Sequence, residues 1–167
     1  MKHFYTSLVA CVLLAANLPI QAETAQNTFQ VTAGTVGKCS ITADALVFST
    51  NIATPITSAE IPKATSKLNV LCSPTTLYSV ALDLGQGTGA SCTARKMKNI
   101  DGVSVGTLDY NLYKDSGAVF GGGACGEDSG PLTGTGVFQT INVNGKILPQ
   151  NPDKGLFKDI ITATMTF

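Results

Sequence analysis

Apolar and polar residues alternate with a period of two in run after run of this chain, and that period is the signature of strands with one buried face. Phe29, Val31 and Ala33 alternate with Gln30, Thr32 and Gly34. Leu68, Val70 and Cys72 form a second row, and Tyr78, Val80, Leu82 and Leu84 a third. Leu108, Tyr110 and Leu112 alternate with Asp109 and Asn111. Ile161, Ala163, Met165 and Phe167 alternate with threonines at 162, 164 and 166. Beyond the N-terminal leader no stretch shows the period of an amphipathic helix. Turn signals separate the runs: Gly85-Gln86-Gly87-Thr88-Gly89, Gly121-Gly122-Gly123, Gly130-Pro131 and Asn144-Gly145. Several short strands spaced by turns predict a single all-β sandwich, with no internal repeat and no linker.

The leader decides the compartment. Lys2 and His3 give a basic start, residues 4–16 are apolar apart from Thr6 and Ser7, and Ile20-Gln21-Ala22 has the small-residue pattern of a cleavage site. This reads as a secretory signal peptide over residues 1–22, cut near Ala22, leaving residues 23–167 for one domain. Cys11 lies inside the apolar run rather than at its end, which argues against lipidation. Export leaves Cys39, Cys72, Cys92 and Cys125, and four cysteines in an oxidising compartment read as two disulfides with three possible pairings. Pairing neighbours, Cys39 with Cys72 and Cys92 with Cys125, would staple the two halves separately, each loop worth roughly 3–4 kcal/mol. The other pairings stay open on these residues alone. With no Cys-x-x-Cys and no histidine after the leader, zinc is a poor fit.

Little in the sequence points to catalysis. The single histidine, His3, leaves with the signal, and no Ser-x-x-Lys occurs. Two acidic pairs remain for a carboxylate mechanism, Glu127 with Asp128 and Asp153 with Asp159, but they sit beside Gly and Pro and read better as loop charge. Tyr78, Tyr110 and Tyr113 could stack on a sugar, although core packing suits them better, and the chain has no Trp. Eleven basic and eleven acidic side chains give no reason to expect a nucleic acid partner. The expectation is a non-enzymatic protein with no catalytic, cofactor or metal residues and no small-molecule substrate.

Five further stretches carry a resemblance. They are Cys39-Ser40-Ile41, Leu68-Asn69-Val70-Leu71-Cys72, Tyr78-Ser79-Val80-Ala81-Leu82, Arg95-Lys96-Met97, and Leu108-Asp109-Tyr110-Asn111-Leu112-Tyr113-Lys114-Asp115. Gly155-Leu156-Phe157-Lys158-Asp159 then leads into the final alternating run. In this order the chain resembles the spore coat protein U domain family, which includes the pilins of archaic chaperone–usher pili.

The resemblance implies an incomplete immunoglobulin-like β-sandwich over residues 38–167, lacking its last strand, preceded by an N-terminal donor-strand segment over residues 23–37. As periodicity alone, residues 29–36 would be an ordinary first strand. The resemblance makes Phe29, Val31, Ala33 and Thr35 a donor strand instead. It makes Ile161, Ala163, Met165 and Phe167 the acceptor groove and chaperone-binding C-terminal strand. The implied partners are a periplasmic chaperone, which would also hold the carboxylate of Phe167, an outer-membrane usher, and neighbouring pilin subunits. The implied function is a structural subunit of a surface pilus, built by donor-strand exchange and supporting adhesion and biofilm formation. A secreted coat or matrix protein of the same fold is the alternative.

Overall fold

The computed structural model describes residues 27–102, 105–123 and 125–167, so the leader and residues 23–26 lie outside the described residues. The chain divides into two compact units, residues 1–34 and residues 35–167. In the first, the described residues 27–34 form no strand, and Phe29 and Val31 are exposed. The second holds nine strands, and no helix occurs among the described residues.

The strands are β1 Cys39–Ala43, β2 Lys63–Cys72, β3 Leu77–Leu82, β4 Arg95–Asn99, β5 Thr107–Tyr113, β6 Leu132–Thr133, β7 Gln139–Ile147, β8 Phe157–Lys158 and β9 Ala163–Thr166. Six form one sheet in the order β1-β2-β7-β5-β4-β8, and three form another in the order β6-β3-β9. Every ladder is antiparallel. Period-two burial places Leu68, Val70, Leu108, Leu112, Val143 and Ile147 of the large sheet in one core with Tyr78, Val80 and Leu82 of the small sheet. Each such side chain stabilises by roughly 1.5–3 kcal/mol when fully buried. The result is an all-β sandwich whose smaller sheet stops at β9.

Two disulfides reinforce it. Cys39 and Cys72 stand directly opposite each other on β1 and β2, with Cα atoms 4.1 Å apart. Cys92 joins Cys125, tying the β3–β4 connection to the long β5–β6 connection.

One turn signal is corrected. Asn144-Gly145 lies inside β7 and not in a turn, because both sides of that strand are occupied: Gly145 faces Ala64 of β2 and Leu112 of β5. Asn144 Nδ2 donates to Asp115 Oδ1 (2.8 Å) and its Oδ1 accepts from Thr65 Oγ1 (3.1 Å), contacts that compete with turn formation. Gly145 serves a close approach, since a Cβ there would stand 2.7 Å from the Phe48 ring. The third run also ends earlier than its alternation suggests. After Leu82, Asp83 Oδ1 accepts from Gly85 N (3.0 Å) and turns the chain away before Leu84.

Candidate functional site

Among the described residues, β9 is paired along one edge. Ala163 faces Leu82, Thr164 faces Ala81, Met165 faces Val80 and Thr166 faces Ser79 of β3. Along its other edge no described residue forms a ladder with it. A strand edge left with unpaired N–H and C=O groups is a template for another strand.

Beside this edge the interior of the sandwich is open. A cleft of about 890 Å³ has Leu68, Leu112, Val143 and Ile147 of the large sheet among its lining. Leu46, Phe48 and Ile52 of the β1–β2 connection line it as well, and so do Leu156, Phe157, Ile161 and Ala163 around β8 and β9. The charged residues of its lining are exposed, except Asp159, which is half-buried. Chemically this cleft offers apolar surface beside a free backbone edge, and no cluster of metal ligands occurs among the described residues.

The segment leading into β9 is held by two carboxylates. Asp159 Oδ1 accepts from the backbone N–H of Gln86 (2.8 Å) and of Ile160 (2.8 Å), and its Oδ2 accepts from the Tyr110 hydroxyl (2.7 Å). Asp83 Oδ1 accepts from Thr162 N (2.9 Å), and Asp83 N donates to Thr162 O (3.0 Å). Burial, then the hydrogen bond to Asp159 and its charge, push the Tyr110 phenol far above the usual tyrosine range. Arg95 is completely buried beside them: Nε donates to Asp83 O (2.9 Å), Nη2 to Phe120 O (2.8 Å) and Nη1 to Asn111 Oδ1. Burial lowers its pKa, while Tyr110, Asp83 and Asp159 oppose that shift. An arginine with its donors satisfied is a strut between β4, β5 and the connections around them.

The residues named from sequence distribute unevenly over this site. Ile161 and Ala163 line the cleft, and Met165 packs on the core beside it. Phe167 is 61% exposed and outside the lining. Phe29, Val31, Ala33 and Thr35 are all exposed. Leu46, Phe48, Ile52, Leu156 and Phe157 were not legible as site residues, because they lie in connections or in a two-residue strand and carry no period. Three of the four candidate catalytic acids are held in contacts within the fold: Glu127 pairs with Lys114 (3.0 Å), Asp128 Oδ1 accepts from Gly130 N (2.8 Å), and Asp159 holds the β9 lead-in, while Asp153 is exposed in the cleft lining. Tyr78 and Tyr110 belong to the core, and Tyr113 lies under the Lys146 ammonium at 4.6 Å.

The model of the Spore Coat Protein U domain matches residues 25–164. No protein of curated function matches the chain. Among solved structures, the chain is similar to one in the CsuC–CsuE chaperone–tip adhesion subunit pre-assembly complex from archaic chaperone-usher Csu pili of Acinetobacter baumannii. The identity is 24%, the TM-score 0.58, and the match covers 79% of this chain. It spans 40% of the length of that structure's chain, and the likeness is one of fold.

Proposed function

The chain belongs to the Spore Coat Protein U domain family, and we propose that it is a structural subunit of a chaperone–usher pilus, exported through the periplasm and assembled by donor-strand exchange. The observation that carries this reading is the pairing of an apolar cleft with a β9 edge that lacks a partner among the described residues. An added strand would satisfy the backbone of β9 and place alternate side chains into the cleft, which is the chemistry of β-augmentation. Residues 28–36 have the matching pattern: Phe29, Val31 and Ala33 would share one face once extended as a strand, and all three are exposed. Their burial would drive exchange with no nucleotide hydrolysed.

On this reading a periplasmic chaperone covers the cleft first, an outer-membrane usher then receives the subunit, and the next subunit's donor strand replaces the chaperone. The similar solved structure, a chaperone–tip adhesion subunit pre-assembly complex, supports a chaperone as the first partner. The protein has no catalytic role in this account, and three of its four candidate acids, Glu127, Asp128 and Asp159, are held in contacts within the fold. Adhesion and biofilm formation would follow from the assembled fibre.

The test is fibre length. Phe29→Asp with Val31→Asp places charge on two plugs that must enter the cleft. Cells producing this variant should show short or absent fibres, while the subunit still accumulates with its chaperone. Fibres of normal length would overturn the reading and favour a coat protein that assembles in another way.

A further inference from the structure

A tight corner forms where β1 begins. Ser73 N donates to Lys38 O (2.9 Å), Gly136 N to Cys72 O (3.0 Å), Gly134 N to Thr76 O (2.7 Å) and Thr75 N to Gly134 O (2.9 Å). The Cys39–Cys72 disulfide closes the corner, and Gly136 turns at φ +80° against Pro74. Out of this fixed framework project Val36, Val137 and Phe138, which are 91%, 65% and 69% exposed. Large apolar side chains presented on a hydrogen-bonded corner have the character of a contact surface.

A second apolar group stands at the start of β9. Ile160 and Leu156 are exposed, and so is Ile100, whose N–H donates to Leu156 O (2.8 Å). Strand direction brings the two groups together between successive copies, an argument that rests on the donor-strand reading above. Every ladder among the described residues is antiparallel, so a donor strand closing β9 in the same sense, with residue 28 beside Thr166, sets residue 31 beside Ala163 and carries residue 36 past that end of β9, toward Ile160 and Leu156. Only Gly37 and Lys38 then separate Val36 from Cys39, and the three backbone steps between them reach at most about 11 Å. The corner of the donating copy must therefore come down at the Ile160 end of the accepting copy.

We propose that Val36, Val137 and Phe138 of one copy dock on Ile100, Leu156 and Ile160 of the next copy. The contact is head-to-tail, with different surfaces on the two partners, and so repeats along a fibre without closing. It adds to the exchanged strand a second attachment that fixes the angle between successive subunits.

The experiment pairs introduced thiols in cells that supply the chaperone and usher. Phe138→Cys with Ile160→Cys should give a reducible ladder of covalently joined subunits. Phe138→Cys with Thr166→Cys, which places the second thiol at the far end of β9, should give none. A ladder from the second pair alone would overturn the proposed direction, and strand-linked assemblies with no ladder from either pair would overturn the docking itself. Absence of strand-linked assemblies would instead sink the donor-strand reading, and this contact with it. As an independent readout, Phe138→Ser should leave strand-linked assemblies intact but make them more extended in small-angle scattering. Unchanged scattering would count against a fixed angle.

Discussion

The hydroxyl of Tyr110 on β5 donates to Asp159 Oδ2 across 2.7 Å, so the large sheet grips the segment that feeds the edge strand of the small one. The same carboxylate takes two backbone N–H groups through its other oxygen. The free edge of β9 is thus positioned from within the sandwich, and several consequences can be measured.

Two tyrosines should respond oppositely to loss of their hydroxyl. Tyr110→Phe removes a donor to a charged acceptor and should cost about 1.5–3 kcal/mol in urea unfolding. Tyr78 Oη is buried with no hydrogen-bond partner among the described residues. Tyr78→Phe should therefore be neutral or stabilising, since it relieves an unsatisfied group. Equal losses in both variants would contradict the account.

Alkaline pH should expose the same contact. An ordinary tyrosine ionises near pH ~10, and in the folded chain burial and Asp159 hold Tyr110 well above that. The unfolded chain then releases this proton first as pH rises. The contribution of Tyr110 to stability is constant below about pH 10 and is lost progressively above it. Phenolate absorbance from Tyr110, isolated by comparison with Tyr110→Phe, should appear together with unfolding rather than before it.

Gly85 and Gly102 both have positive φ, +80° and +74°, but only one is crowded. A Cβ on Gly85 would stand 2.1 Å from Asp159 Oδ2, whereas one on Gly102 would meet nothing within 4 Å. Gly102→Ala should show backbone strain alone, of order 1–3 kcal/mol. Gly85→Ala should lose more and should also weaken uptake of a donor peptide, because it displaces the carboxylate that sets the β9 lead-in. Thermal unfolding with a peptide-binding assay compares the two directly.

The open cleft should be detectable in solution. An environment-sensitive apolar dye should fluoresce with the folded subunit, and a peptide of residues 27–36 should displace it. The same peptide carrying Phe29→Asp should not, because charge on the plug meets an apolar lining. Equal displacement by both peptides would mean that the dye reports some other surface.

Removing the Cys39–Cys72 bridge by a double change to serine should lower stability by about 3–4 kcal/mol, on the loop-closure estimate. Comparing unfolding of the oxidised protein and the double variant gives this number. A loss below about 1 kcal/mol would show that the β1–β2 ladder holds the loop closed by itself.

The sequence revealed those strands whose burial is one-sided and apolar. Leu68, Val70 and Cys72, or Val80 and Leu82, announce their face because every second residue is hydrophobic and enters the core. β4 did not announce itself, because its inward row begins with Arg95, a charge that is tolerated only through partners supplied by Asp83, Asn111 and Phe120. β7 was obscured by Asn144-Gly145, a pair whose turn chemistry is overruled by ladders on both sides. β6 and β8 have two residues each, too few to show a period. At the cleft, alternation showed Ile161 and Ala163 only as part of a strand and the family resemblance alone pointed to a groove, while Leu46, Phe48 and Ile52 gave no signal, since a connection has no period to read. Asp159, open to a catalytic interpretation in sequence, is a tether for backbone and phenol.

Cys39 is the first residue of β1 and lies directly opposite Cys72, the last residue of β2. In a fibre of the proposed kind, tension enters each domain through its N-terminal segment and so arrives at Cys39. Pulled there, an antiparallel ladder would unzip one rung at a time, the geometry in which hydrogen bonds resist force least. The disulfide sits at the first rung and carries the load covalently into β2, which is bonded along its length to β7. Mechanical failure is thereby moved away from β1, and the exchanged strand becomes the link expected to yield first.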